Sequence, residues 1–133
     1  MTQEDEDQDP LERLLLDKKS INREKLTEAL EDRIGIDQDS AEPVYRAGWQ
    51  NLSNKRKTTY FLLYRKAVVA LGMEKEENEG MSSREISDEI GVKYDTLRSI
   101  LSRTDYIEKD EEKGGYIIPG HSLDRAIVVV ESE

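Results

Sequence analysis

The side chains able to do chemistry in this chain are cations and hydroxyls, and they gather in two stretches. Between Asn54 and Leu71 stand Lys55, Arg56, Lys57, Arg65 and Lys66, with no acidic residue among them. Between Lys93 and Arg103 stand Lys93, Tyr94, Arg98, Ser99, Ser102 and Arg103, with one acid, Asp95. Ammonium and guanidinium groups neutralise phosphates, and an Arg fork can hold two acceptors at once. Cations in the first turn of a helix oppose its dipole, so helix stability alone does not favour Lys55 and Lys57 there. Catalysis is not indicated. There is no glycine-rich phosphate loop, no nucleophile–histidine set and no metal-ligand spacing. Without cysteine, and with His121 as the one histidine, thiolate and multi-histidine metal centres are excluded. The expectation is a non-enzyme with no catalytic residue, no metal and no cofactor.

The elements that must position these groups are short. Ser82 and Glu85 have the spacing of a capping box, and Ile86 and Ile90 then share one helix face up to Gly91, a natural left-handed stop. A second helix carries Leu97, Ile100 and Leu101 at helical spacing, with Val92 packing before it and Asp95 as its expected cap. Tyr106-Ile107 and Tyr116-Ile117-Ile118 read as paired strands, with Gly114-Gly115 supplying positive φ in the turn. Helix, tight glycine turn and second helix make a helix-turn-helix unit.

With the hairpin added, residues 81–119 resemble a winged helix-turn-helix domain of the small prokaryotic or archaeal regulator type. The resemblance rests on Ser82, Glu85, Ile86, Gly91, Val92, Thr96, Leu97, Arg98, Ile100, Leu101, Tyr106-Ile107 and Gly114-Gly115-Tyr116. It implies a mainly α fold with a small β-hairpin wing and a helix, 94–103, that enters the major groove of double-stranded DNA. Arg98 is then the candidate for a bidentate guanine contact, with Ser99, Ser102 and Arg103 beside it. Lys93 and Tyr94 sit at the turn, and Lys55, Arg56 and Lys57 flank the helix on the phosphates. The wing departs from the family pattern. Its tip, Lys109-Asp110-Glu111-Glu112-Lys113, has a net charge of −1, so it either stays off DNA or touches it only through Lys109 and Lys113.

The remaining chain is expected to form an N-terminal helical extension (11–52) on a winged-helix domain (53–133), after a disordered acidic tail (1–10). Pro10 precedes Leu11, Leu14, Leu15 and Leu16; Ser20 is a candidate cap for a helix with Leu26, Leu30 and Ile34 in one row. Residues 35–43 read as a polar linker, and Trp49 as an anchor. The long helix begins near Ser53 or Asn54 and stops at Gly72. It carries Tyr60, Tyr64, Ala67 and Leu71 on one face and Leu62 and Val69, flanked by Phe61, on another. A helix apolar on two sides is packed on two sides, either by the extension or by a second copy through Phe61, Leu62 and Val69. An acidic, flexible loop (72–80) follows. The last stretch reads as a helix from Leu123, after Ser122.

The balance of charge weighs against a general polyanion binder. The chain has 20 basic and 30 acidic residues, a net of −10, and residues 81–133 alone carry −5. Such an acidic surface also fits a halophilic cytoplasm, where salt screens electrostatics. Five acids in the first nine residues, without an apolar core, do not make a secretory signal, and no run is long enough for a membrane span. The expectation is therefore a cytoplasmic, homodimeric DNA-binding protein acting in transcription regulation. The alternative is a winged-helix module that docks a protein partner in a transcription, replication or defence assembly without touching DNA.

Overall fold

The computed structural model describes residues 9–14 and 21–132. Everything in it is built on one helix, α2 (Asn54–Ala70). Ser53 caps it by accepting the Arg56 N–H. Thr58 through Tyr64 are all buried in succession, followed by Lys66, Ala67 and Val68. Seven consecutive buried residues cover every side of a helix with 3.6 residues per turn, so α2 is enclosed on all sides there. Its neighbours are α1 (Arg23–Leu30), strand β1 (Ile34–Ile36), α3 (Ser83–Ile90), α4 (Tyr94–Arg103), strand β4 (Gly115–Ile117) and α5 (Leu123–Glu131). Leu26, Ile34, Trp49, Ile86, Leu97, Ile118 and Val130 belong to one apolar cluster with it. The architecture is mainly helical, with two small antiparallel hairpins among the described residues.

The first hairpin corrects the expected linker. The row Leu26, Leu30 and Ile34 is not one helix: α1, capped by Asn22, ends at Leu30. Ile34–Ile36 instead pairs with β2 (Pro43–Tyr45), Ile34 opposite Tyr45 and Ile36 opposite Pro43. The turn between them is set by Asp37, whose carboxylate accepts the Asp39 and Ser40 N–H groups. Those bonds, Ser40 first, hold its carboxyl below the usual carboxylate range. Ala41 has φ 65° and its carbonyl accepts the Tyr64 hydroxyl. Trp49 is buried against Tyr45, ring centroids 4.7 Å apart, which bears out its anchoring role. Before α1 the described chain forms a 3-10 turn, Pro10–Leu14. Ser20 and most of the acidic start lie outside the described residues.

Residues 72–80 also differ from the expected free loop. They form a 3-10 turn, Glu76–Asn78, and send Glu79 inward to be 3% exposed. Leu71, expected on the packed face, follows the last helical residue and is 57% exposed.

The C-terminal unit is close to expectation. Ser82 accepts the Glu85 N–H at 3.1 Å while Glu85 accepts the Ser82 N–H at 3.0 Å. Gly91, at φ 69°, ends α3, and a three-residue turn leads to α4. Asp95 is not the cap: Lys93 occupies that position, and Asp95 lies in the first turn, where its charge suits the dipole. Strand β3 (Glu108–Asp110) begins after Tyr106-Ile107, which are core residues, and pairs with β4, Lys109 opposite Tyr116. The other edge of β4 meets Met81, whose carbonyl accepts the Tyr116 N–H at 2.9 Å. Gly114 and Gly115 both have positive φ, as read. The final stretch is helical, with Leu123, Ala126, Ile127 and Val130 buried.

Candidate nucleic-acid interface

Leu97 and Leu101 fix α4 in the core and thereby choose which side faces out. On that outer side Lys93, Asp95, Arg98, Ser102 and Arg103 are exposed and Ser99 is partly buried. Ser102 Oγ donates to the Ser99 carbonyl at 3.1 Å, so its lone pairs remain available. Thr104 closes the helix by donating to the Ile100 carbonyl at 2.7 Å.

Tyr94 organises the start of α4. The guanidinium of Arg84, from the first turn of α3, lies over its ring at 4.0 Å, and that of Arg98 at 5.7 Å. A cation over an aromatic face keeps its donors directed outward. Arg84 is the residue that sequence reading missed. Its place two residues after the Ser82 cap was visible, but its approach to Tyr94 depends on how α3 and α4 cross. Among the described residues, none of Arg84, Lys93, Arg98 and Arg103 has a carboxylate within ion-pairing distance. The four acids of this helix pair make no ion pair with these cations, and Asp88 and Asp95 are exposed among the described residues. Glu85 is held in the capping box, and Glu89 accepts the Tyr45 hydroxyl at 3.0 Å.

The cations of the basic stretch are spent differently. Arg65 donates to the carbonyls of Asn78 at 2.7 Å and Glu79 at 3.1 Å and meets Glu74 at 3.1 Å. Lys66 is buried against Glu79 at 3.0 Å. Neither can reach a phosphate. Arg56 Nε donates to the Val130 carbonyl at 3.1 Å, and its guanidinium lies 5.8 Å from the Tyr60 ring, so it ties α2 to α5. Lys55 and Lys57 are partly buried in the same turn. Lys55 helps lower the pKa of Asp105, an effect led by the bidentate Arg125–Asp105 pair at 2.7 and 3.1 Å. The basic start of α2 therefore stands beside the loop that leaves α4, away from the Arg84–Tyr94 end.

On the β3–β4 hairpin, Lys109 lies 3.9 Å from Glu111 and Lys113 lies 3.5 Å from Glu76. His121 is exposed, with Nε2 3.8 Å from Glu108. The proposed interface stripe is not available on the surface: Phe61 and Leu62 are each 1% exposed, and Val69 is partly buried. The chain's own helices and β1 fill the second apolar side of α2. Among the described residues no cluster of acids, histidines or cysteines could hold a metal, and no helix is long and apolar enough to cross a membrane. Comparison with protein families, curated proteins and solved structures finds no match to this chain.

Proposed function

We propose that this protein is a winged helix-turn-helix DNA-binding protein that lays α4 in the major groove of double-stranded DNA and regulates transcription. The observation that carries this reading is the Arg84–Tyr94–Arg98 stack, exposed at the start of α4 and without a carboxylate partner among the described residues. Arg65, Lys66, Lys109 and Lys113, by contrast, are each matched by an acid of the same chain. Arg98, projecting from the first half of α4, is the base-reading group; Ser99, Ser102 and Arg103 follow along the groove. Arg84 and Lys93 hold the phosphates at the start of α4, whose first-turn N–H groups have no side-chain cap. Lys55 and Lys57 serve the backbone near its end.

The acidic bulk keeps non-specific binding weak, because that component scales with the phosphates neutralised. The paired wing lysines favour a second reading, in which the acidic wing docks a basic protein surface and α4 touches no DNA. Fluorescence anisotropy with a random duplex, and with duplexes selected from a pool, separates the two. Binding that weakens linearly in log salt, with a selected sequence preferred, supports the DNA reading. No binding at roughly 50 mM salt to either pool overturns it.

A further inference from the structure

A second surface is unaccounted for at the C-terminal end of α2. A groove of about 270 Å³ runs between α1, β1 and the end of α2. Leu26, Leu30, Ile34, Ile36, Ala67 and Leu71 supply its apolar lining, and Leu71 stands 57% exposed at its rim. Arg23, Glu31 and Arg46 border it and all three are exposed; the Arg23 guanidinium also donates to the Ala70 carbonyl at 2.6 Å. Arg46 has no carboxylate within ion-pairing distance among the described residues. The volume falls below the ~300–1,000 Å³ of small-molecule pockets, which suits one or two side chains better than a ligand.

The same chain displays matching knobs. Leu11 and Leu14 are 67% and 74% exposed, among the few large apolar side chains in the open. Asp9 precedes them and Glu12 and Arg13 lie between them, in a sequence whose first nine residues contain five acids and no base. With two arginines against one glutamate, the rim of this apolar groove is net positive and complementary in charge to an acidic leucine segment. In the single chain the two do not meet, since no residue of 9–14 lines the groove.

We propose that the groove receives Leu11 and Leu14 of a second copy, in a reciprocal exchange that closes a two-fold dimer. Knob and groove on one chain form a heterologous pair, and a two-fold axis uses both contacts at once without leaving an open end for further growth. The exchange leaves Phe61 and Leu62 in the core and leaves α4 free. It stands whether or not α4 binds DNA.

Sedimentation velocity on the full chain from roughly 1 to roughly 200 µM tests this, because a dimer of this kind depends on concentration. The expected result is a monomer–dimer equilibrium whose Kd rises about tenfold or more in L11E/L14E and, independently, in L71D, with unchanged circular dichroism. All three positions are exposed, so neither variant removes a core contact. Thr27→Glu, on the exposed groove side of α1, serves as a third variant should L71D unfold. A chain that stays monomeric throughout overturns the proposal and leaves its own N-terminal segment as the competing occupant. A dimer indifferent to both sets of substitutions overturns it as well.

Discussion

The Nζ of Lys66 lies 3.0 Å from Oε2 of Glu79, and the two side chains are 7% and 4% exposed. That oxygen receives no well-directed hydrogen bond, so the lysine's charge is what balances it. Removing one partner of a buried pair strands the other charge, at a cost of ~3–5 kcal/mol, whereas an apolar or neutral replacement of both is far milder. Lys66→Ala and Glu79→Ala should each destabilise strongly in urea titrations. Lys66→Met with Glu79→Gln should restore more than half of the loss. Additive single effects in that cycle would show that the two groups are not coupled.

The division of cations into spent and unspent groups gives a prediction for binding. Arg84→Ala and Arg98→Ala should each lower DNA affinity and reduce the salt slope by up to ~1, since each removes an available cation. Arg98→Ala should also relax sequence preference, by ~1–3 kcal/mol at the base it reads. Lys109→Ala with Lys113→Ala should leave the slope nearly unchanged, their charges being matched by Glu111 and Glu76. Equal effects from the hairpin and helix variants would refute this assignment of roles.

That division was hidden in the sequence, where Arg65-Lys66 and Lys55-Arg56-Lys57 look like one basic run. Local rules made much of the C-terminal half legible: the capping box at Ser82, the Gly91 stop, the positive φ of Gly114-Gly115 and the α5 apolar row. What a one-dimensional reading could not reach was long-range pairing. Lys66 finds its acid thirteen residues on, and Arg84 finds its aromatic partner ten residues on, only once helices cross. The β1–β2 hairpin was missed for a related reason. Three-residue strands carry little periodicity, and the Asp37 turn resembles polar linker until its hydrogen bonds are seen.

Two glycines with positive φ should respond differently to the same substitution. At Gly91, φ 69°, an added Cβ meets nothing within 4 Å, so Gly91→Ala carries only the left-handed backbone cost of ~1–2 kcal/mol. At Gly115, φ 143°, the Cβ would stand 2.3 Å from the Met81 carbonyl oxygen. Either β4 or the chain at Met81 must move, and the Tyr116–Met81 hydrogen bond is lost with it. Thermal melts should show Gly115→Ala well below Gly91→Ala, and amide exchange at Tyr116 should rise only in the former.

Stability should fall at both extremes of pH, through different residues. At the acid end, the Ser82 N–H holds the Glu85 carboxyl below its ordinary 4.5, and the Lys75 N–H with Arg65 does the same for Glu74. Carboxyls lowered by folding take up protons first in the unfolded chain. Their contribution is therefore complete above the unfolded pKa and disappears as pH falls through the folded one. At the alkaline end, burial and then the nearby Glu89 charge raise the Tyr45 phenol above its ordinary 10.0, and burial raises Tyr64. A raised phenol contributes fully below the unfolded pKa and loses that contribution as pH climbs past it, because the unfolded chain ionises first. Denaturant midpoints measured across pH should form a plateau with two falling limbs. Measured from its own plateau, Glu85→Ala should show a shallower acid limb and Tyr45→Phe a shallower alkaline limb; a variant that lowered the whole curve evenly, limbs included, would place its effect in packing, not in titration.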